Sequence, residues 1–354
     1  MNDDEQEPRS AGPLRVVILG AGMVARQHAQ AYREIGAQVV GVADLDDAAA
    51  HALAEPWGAL VATDYHALLR DASADAVSVC LPNYLHLPAT QEALTRGLHV
   101  LCEKPLALTS AQAREMVAQA ERRGCVLLTG YHHRYQEAIA QVKALIVGGD
   151  LGTLCSFRCR FAWQTRRPQA WNANPRQSGG GVLIDSGGHA IDLYRHLVGE
   201  VARVSAVLTT LQSGSAVEDN AIVLLEGQAG VPGVIEVSWT TPHTIMELVV
   251  EGTRATARAD FTGLPLAWAA LRRDDGWTPL HDQCPNPYAR EVAHFRDCIE
   301  GRATPLVDGH EGVRTLLVVE AAYRAAQERR AIAVEGVRPG GPLKGASCDG
   351  SSRQ

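Results

Sequence analysis

Residues 14–25 have the sequence Leu-Arg-Val-Val-Ile-Leu-Gly-Ala-Gly-Met-Val-Ala, an apolar run that ends in a glycine turn. The run is typical of a strand that is buried on both faces of a parallel sheet. Gly20 and Gly22 predict a tight turn, and the residues from Ala25 to Ile35 predict a helix. The unpaired N–H groups and the positive dipole at the start of that helix favour a pyrophosphate, so the stretch predicts a dinucleotide-binding fold.

An acidic residue ends the next predicted strand. Residues 38–43 are followed by Asp44, at the distance where dinucleotide-binding folds place an acid that accepts hydrogen bonds from the adenosine ribose. Leu45 and Asp46 follow where an NADP site would favour a basic or small polar residue. We therefore expect NAD, rather than NADP, as the cofactor.

Strands and helices continue to alternate up to about residue 134. Buried strands are predicted at residues 76–81, 99–102 and 125–130, and helices at about 88–96 and from Ser110. This order predicts an α/β fold with a doubly wound parallel sheet, which binds ligands at the carboxyl ends of its strands.

The pattern changes after residue 135. A helix at 136–147 precedes a series of strands without long helices between them. The predicted strands cover residues 153–164, 201–211, 221–225, 234–240, 247–251 and 255–259, and two further helices lie near 287–300 and 309–330. Such a series predicts a C-terminal α+β domain built on an open, mostly antiparallel sheet. An apolar sheet face without cover also predicts a homodimer or homotetramer.

Length and composition fit a two-domain globular protein. The 354 residues exceed the size at which one hydrophobic core is usual. We predict a flexible tail at 1–13, a dinucleotide-binding domain at 14–134, a substrate-binding and oligomerisation domain at 135–335 and a flexible tail at 336–354. The net charge of −7 argues against nucleic acid as a partner. No apolar run is long enough to cross a membrane. The eight cysteines are scattered along the chain, which indicates a cytoplasmic location.

A second motif lies in the C-terminal half. Residues 179–192 have the sequence GGGVLIDSGGHAID, which places Asp185 and His189 four residues apart in a helix predicted at about 181–197. Side chains four apart share a helix face, so these two could form an acid–base pair. Asp192, further along the same face, is better suited to bind a backbone group or an arginine than a substrate.

The sequence Glu103-Lys104-Pro105 closes a strand of the predicted parallel sheet. Most lysines lie on solvated surfaces such as the outer face of a helix. A lysine before a proline at the carboxyl end of a parallel strand does not fit that position, which favours a role for Lys104 in the ligand site. Hydride removal from a secondary alcohol needs a base for the hydroxyl proton, and His189 has an ordinary pKa near the operating pH. Asp185 could hold the tautomer of His189, while Lys104 could stabilise the alkoxide.

These three motifs together resemble the signatures of the glucose-fructose oxidoreductase, inositol dehydrogenase and MocA family. The resemblance covers roughly residues 14–330 with the motifs in the right order. It implies a Rossmann domain, a second domain with an open sheet, and oxidation or reduction at a sugar or cyclitol carbon.

The resemblance also implies roles for individual residues. The implied catalytic residues are Lys104, Asp185 and His189. The implied cofactor-binding residues are Gly20, Gly22, Met23, Val24, Asp44, Leu81, Pro82, Asn83, His86, Glu103 and Lys104. Members of the family often have a cis peptide bond at the position of Lys104–Pro105, which the sequence leaves open.

Aromatic and basic residues precede the glycine-rich motif. Trp163, Arg166 and Trp171 could overhang the cleft, because tryptophan faces suit sugar C–H groups and arginine suits a carboxylate or phosphate. A subunit interface is the open alternative, since both residue types are enriched there. His132 and His133 could touch substrate or cofactor. We expect no metal site, because no cysteine or further histidine group is spaced to complete one.

The sequence therefore predicts an NAD-dependent oxidoreductase that acts on a secondary alcohol of a sugar or cyclitol, with His189 as the general base. Two alternatives remain. One is an NAD-dependent glycosidase that uses a transient oxidation, and the other is a sugar-sensing regulator that keeps the fold without catalysis.

Overall fold

The computed structural model describes residues 12–165, 171–212, 215–263, 267–274, 276–280 and 286–336. The predicted tails at 1–13 and 336–354 lie almost entirely outside the described residues, and Arg166 lies outside them as well.

A parallel sheet of six strands forms the N-terminal half of the described chain, in the order β3-β2-β1-β4-β5-β6. The strands are β1 (Arg15–Leu19), β2 (Gln38–Ala43), β3 (Leu60–Ala62), β4 (Ala76–Val79), β5 (His99–Glu103) and β6 (Leu127–Gly130). The helices between them are α1 (Met23–Glu34), α2 (Asp47–Ala54), α3 (Tyr65–Asp71), α4 (His86–Thr95) and α5 (Ser110–Arg123). The strand order reverses beside β1, and ligands bind at such a switch point. The predicted Rossmann fold is confirmed.

A mixed sheet of nine strands follows, in the order β14-β13-β12-β11-β7-β10-β9-β8-β15. The strands are β7 (Leu154–Gln164), β8 (Val201–Thr209), β9 (Asn220–Gly227), β10 (Pro232–Ser238), β11 (Thr240–Gly252), β12 (Thr256–Asp260), β13 (Trp268–Arg273), β14 (Gly276–Leu280) and β15 (Ile332–Ala333). Among the described strands, β7 and β10 form the parallel pair and the other neighbours are antiparallel. The open, mostly antiparallel sheet is thus confirmed.

Helices cover one face of the mixed sheet. The helices of this half of the chain are α6 (Glu137–Val147), the short α7 (Pro175–Ser178), α8 (Gly188–Leu197), α9 (Pro287–Ile299) and α10 (Gly309–Glu328). Of these, α6, α8 and α10 contact strands of the mixed sheet, whereas α9 contacts α1 and α10 also contacts α5. Because C-terminal helices pack on both sheets, the division of the chain at residue 134 stays a prediction.

The other face of the mixed sheet is open. Along β9, Val223 is buried while its neighbours Ile222 and Leu224 are 52% and 51% exposed, as the two-residue period of a strand requires. Val207 on β8 pairs with Ile222 on β9. The pairings between successive strands show that Trp268 on β13, which is half-exposed, lies on the same face of the sheet.

Several elements were not predicted from the sequence. They are β3, β13, β14, β15, α2, α3 and α7. Most are short, and β13 and β14 at one edge of the wide sheet place charged or aromatic residues on the open face, so their apolar periodicity is weak. No helix in the described part of the chain has the length and apolar character needed to cross a bilayer.

Candidate active site

The glycine turn after β1 is held by the acid at the end of β2. Gly20 has a φ of +100°, and a Cβ at this position would lie 2.4 Å from the carbonyl oxygen of Cys80. Only glycine fits both conditions. Asp44 accepts hydrogen bonds from the backbone N–H of Ala21 at 2.6 Å and of Asp46 at 2.9 Å. The carboxylate therefore lies beside the turn, as the dinucleotide motif requires.

The rest of the turn leads into α1. Gly22 is the residue before its first turn, and Met23 and Val24 are the first two residues of the helix. Gly22 has no side chain that could cap α1, so the first N–H groups of the helix face the turn without a side-chain acceptor. This arrangement suits the anionic phosphates of a dinucleotide.

The loop after β4 connects the two sheets. His86 lies between two carbonyl oxygens, with Nδ1 2.7 Å from that of Pro105 and Nε2 2.8 Å from that of Leu81. Asn83, which follows Pro82, donates from Nδ2 to the carbonyl oxygen of Ser178 at 2.8 Å. The predicted cofactor loop is thereby tied to both the Glu-Lys-Pro segment and the glycine-rich segment.

Lys104 at the end of β5 reaches the second motif. Its Nζ donates to the side chain of Asp185 at 2.5 Å and to the carbonyl oxygen of Asp185 at 3.2 Å. The Lys104–Pro105 peptide bond is cis. Residues 104 and 185 are thus brought together as predicted, across the cleft between the two sheets.

The expected pairing of Asp185 with His189 is wrong. Asp185 pairs with Lys104, and Nδ1 of His189 is buried without a hydrogen-bond partner among the described residues. Residues Leu183–Gly187 form a turn of π-helix before α8, so the regular spacing of an α-helix does not apply between the two residues. The ammonium of Lys104 is also a stronger partner for a carboxylate than a neutral imidazole.

A carboxylate that the sequence did not indicate anchors this turn. Glu218 accepts hydrogen bonds from the N–H groups of Gly181 at 2.9 Å and Leu183 at 3.0 Å, and from the hydroxyl of Tyr323 at 2.8 Å. At Gly180, where φ is +155°, an added Cβ would lie 1.9 Å from the Tyr323 hydroxyl oxygen. The glycine-rich segment thus packs closely on Glu218 and Tyr323, which fixes the start of the helical segment that carries Asp185 and His189.

Three histidines meet in the cleft. The ring centroids of His132 and His133 lie 5.0 and 4.7 Å from that of His189, and 4.3 Å from each other. His132 stacks on Tyr288 with the ring centroids 4.4 Å apart, and its Nδ1 is buried without a hydrogen-bond partner in the described chain. The sequence had singled out all three histidines, but it gave no sign that they converge.

Burial and neighbouring charges keep these imidazoles neutral. Burial, followed by the charge of Lys104, holds the pKa of His189 well below its ordinary value. Burial has the same effect on the pKa of His132, and burial together with Lys104 lowers the pKa of His133 to about 3. The expectation that the pKa of His189 lies near the operating pH is therefore wrong: burial and Lys104 keep the imidazole in the unprotonated form that can accept a proton, but they disfavour the imidazolium that results.

A buried ion pair holds α8 in place. Arg134 donates to the two carboxylate oxygens of Asp192 at 2.8 and 2.6 Å, and to Glu311 at 2.7 Å. The side chains of Arg134 and Asp192 are 4% and 1% exposed. Asp192 therefore binds an arginine, as predicted, and the pair links the segment of His132 and His133 to the helix of His189.

A second buried polar cluster lies behind Glu103, and the sequence did not reveal it. His28 on α1 contacts Glu103 at 3.0 Å through Nε2 and the hydroxyl of Ser78 at 3.1 Å through Nδ1. Glu291 on α9 is fully buried and its carboxylate oxygens have no hydrogen-bond partner within the described residues. Burial and the nearby Glu103 raise the pKa of Glu291 well above its ordinary value, which favours the protonated acid.

The structure leaves the predicted tryptophans open as substrate ligands. Trp163 lies on β7 and packs, half-buried, against the main core. Trp171 lies in a turn before α7. Their roles, like that of Arg166, stay predictions.

Comparisons with known proteins agree with this architecture. A family model described as an oxidoreductase family with an NAD-binding Rossmann fold matches residues 14–131, and a GFO/IDH/MocA C-terminal domain matches residues 139–258. The chain is 32% identical over 326 residues to 1,5-anhydro-D-fructose reductase of Ensifer adhaerens, which covers 90% of this chain and 98% of that protein. It is 29% identical over 367 residues to D-apiose dehydrogenase of Paraburkholderia graminis, covering 95% and 94% of the two chains.

A solved structure is similar over nearly its whole length. The aldose-aldose oxidoreductase from Caulobacter crescentus, complexed with glycerol, has a TM-score of 0.84 at 26% identity, and the match covers 91% of this chain and 100% of that one. The fold and the relatives define an NAD(P)-dependent dehydrogenase that acts on CH–OH groups. The chain belongs to the GFO/IDH/MocA family of oxidoreductases, so the predicted family and the predicted NAD-binding domain are both confirmed.

Proposed function

We propose that the protein transfers a hydride between a secondary alcohol carbon of a sugar or cyclitol and NAD, with His189 as the general base. The observation that carries the proposal is the buried, unpartnered Nδ1 of His189 in the cleft where Lys104 meets Asp185. An unpartnered imidazole in its neutral form is able to accept a proton from a bound hydroxyl.

The reaction separates one hydride and one proton. A bound NAD would supply the acceptor for the hydride that leaves the alcohol carbon. The hydroxyl proton passes to His189, and the C–O bond becomes a carbonyl. Lys104 stabilises the negative charge on the oxygen as the proton leaves, because an ammonium in a cleft of low dielectric interacts strongly with an alkoxide. Asp185 orients Lys104 by accepting its hydrogen bond. In the reductive direction the same groups donate the proton.

The cofactor site combines the glycine turn, the ribose acid and the loop after β4. Gly20, Gly22, Met23 and Val24 would hold the pyrophosphate, and Asp44 would bind the ribose. We propose NAD rather than NADP because Asp44 and the nearby Asp46 would repel a 2′-phosphate. Leu81, Pro82, Asn83, His86 and Glu103 would line the nicotinamide half.

The substrate is proposed to be a polyhydroxylated ring. Nδ1 of His132 is buried and unpartnered within the described chain, which suits a second hydroxyl next to the reacting one. The relatives named for anhydrofructose and apiose support a sugar-like substrate. We keep Trp163, Trp171 and Arg166 as proposed contacts of the outer part of the substrate. A cytoplasmic location and the absence of a nucleic-acid partner stay predictions from composition.

The open face of the mixed sheet supports a homodimer or homotetramer. Val207, Ile222 and Leu224 form an exposed apolar patch, and Trp268 and Trp277 are half-exposed at the other end of the sheet. Monomeric proteins rarely leave such a face uncovered. A second copy of the chain, turned by a two-fold axis, would cover it.

The test is a screen of sugars and cyclitols with purified protein, NAD and NADP in parallel, read as net NADH or NADPH formation by absorbance. His189→Ala and Lys104→Met should each lower kcat/KM by about 10²- to 10⁴-fold while NAD still binds. His196→Gln, on the same helix as His189, is the matched control and should keep activity. Turnover that survives either site variant would contradict the assignment, and glycoside cleavage without net NADH would favour the glycosidase instead.

A further inference from the structure

Three imidazoles from two distant segments converge in the cleft. His132 and His133 follow β6, and His189 lies on α8. One ring nitrogen of each residue lies within 4.8 Å of those of the other two. Three imidazole nitrogens in this arrangement are a ligand set for Zn²⁺ and related divalent ions, with a fourth position left for water or another ligand.

Unpartnered nitrogens point to a ligand at this place. His189 is 8% exposed, and its Nδ1 is buried without a partner in the described part of the chain. The same is true of Nδ1 of His132. Buried polar nitrogens are normally satisfied, and two that are not, on rings whose centroids lie 5.0 Å apart, indicate a group that both rings can bind.

The surroundings allow the third histidine to bind a metal. The amide nitrogen of Gln136 lies 2.9 Å from Nδ1 of His133, while Oε1 of Gln136 is buried without a partner among the described residues. Rotation of the amide by half a turn would place Oε1 on that nitrogen, where it would accept the Nδ1–H and leave Nε2 of His133 unprotonated for a metal. Histidine ligands of metals commonly donate their second N–H to such an acceptor.

The positive charge of Lys104 opposes the binding of a metal ion at the three histidines, but a nearby carboxylate offsets part of that charge. The ammonium of Lys104 is paired with the carboxylate of Asp185 at 2.5 Å. Burial also favours neutral imidazoles, which is the form that binds metal ions. The expectation of no metal site depends on local spacing, and His189 lies far from His132 and His133 in the chain, so spacing gives no sign that it completes the set.

We propose that His132, His133 and His189 form a binding site for a divalent transition-metal ion, with Zn²⁺ as the reference ion, and that the bound ion blocks the active site. The binding part of the proposal depends on the three converging nitrogens alone. The inhibition part rests on the proposed function, in which His189 accepts the substrate proton, because a metal bound to His189 would occupy the lone pair that is needed for that proton.

The binding test uses the full-length protein after treatment with a chelator. Co²⁺ is added and its visible absorption is recorded, then Zn²⁺ is added to displace it, with bound metal measured by equilibrium dialysis. We expect one ion per chain. His133→Gln and His132→Asn should each weaken binding by about 10- to 100-fold, whereas His196→Gln should not change it. Equal binding in wild type and both cleft variants, or no binding at micromolar protein and metal, would overturn the proposal.

The inhibition test follows with any alcohol that is turned over. Zn²⁺ should inhibit wild type in competition with that alcohol, a chelator should restore activity, and His133→Gln should be about 10-fold less sensitive. Inhibition that rising substrate does not relieve, or that is unchanged in His133→Gln, would overturn the blocking role. Because Co²⁺ binding is read by absorption, failure to find a substrate bears on the proposed function and leaves the metal test decisive.

Discussion

Replacement of Arg134 by methionine should strongly destabilise the protein. Arg134 donates to both oxygens of Asp192, to Glu311 at 2.7 Å and to the carbonyl oxygen of Leu306 at 3.2 Å. Methionine fills much of the same volume but provides none of these hydrogen bonds. Among the described residues, Arg195 at 4.0 Å would then be the one cationic partner left for the buried carboxylate of Asp192.

The structure sets the size of the effect. Breaking a buried ion pair by removing one partner costs about 3–5 kcal/mol, because the other charge stays desolvated. Glu311 keeps Arg195 at 3.1 Å, so the loss should come mainly from Asp192. We therefore expect the free energy of unfolding to fall by about 3–5 kcal/mol.

Urea unfolding, followed by circular dichroism and tryptophan fluorescence, measures this change. Arg203→Met is the matched control, since Arg203 is half-exposed and lies 3.7 Å from Glu226, where a pair contributes about 0–1 kcal/mol. The double variant Arg134→Met/Asp192→Leu should recover most of the loss, because it removes both charges. A loss for Arg134→Met no larger than that of the surface control would refute the reasoning.

Three further predictions concern the contacts of Glu218 with the glycine-rich segment, stability in acid, and assembly. Glu218→Ala leaves three donors unpaired and should reduce kcat while NAD affinity is retained, as measured by steady-state kinetics. Tyr323→Phe, which removes one of those hydrogen bonds, should have a smaller effect, and equal effects of the two variants would argue against this role of Glu218. Burial alone would raise the pKa of Glu311, but Arg195 and Arg134 lower it from 4.5 to about 2, so this carboxylate stabilises the fold above pH 4.5 and loses that effect as the pH falls towards 2. The stability gap between wild type and Glu311→Gln in urea should close over that range, and a constant gap would contradict the shift. Leu224→Glu should shift light-scattering mass towards the monomer if the open sheet face is the interface, and an unchanged mass would place the interface elsewhere.

Local pattern was enough to predict the main elements of both sheets. The apolar run before Gly20, the acid at Asp44 and the two-residue period of β9 each depend on neighbours in the chain. Short elements such as α3, and outer strands with half-exposed tryptophans such as β13, lack that periodicity and were missed. The catalytic roles of Lys104, Asp185 and His189 stay predictions, and the predicted contact between Asp185 and His189 was wrong, because a π-helical turn and Lys104 changed the pairing.

The sequence by itself determined that a dinucleotide turn, a lysine at a strand end and a histidine on a later helix belong to one protein of this family. It could do so because each motif is a short run whose conformation is set by local hydrogen bonds and glycine positions. Only the tertiary structure decided that His189 meets His132 and His133, that Arg134 binds Asp192 and that Glu218 holds the glycine-rich turn. Those contacts join residues far apart in the chain, and which of them form depends on how the two sheets and their helices pack, which local periodicity does not encode.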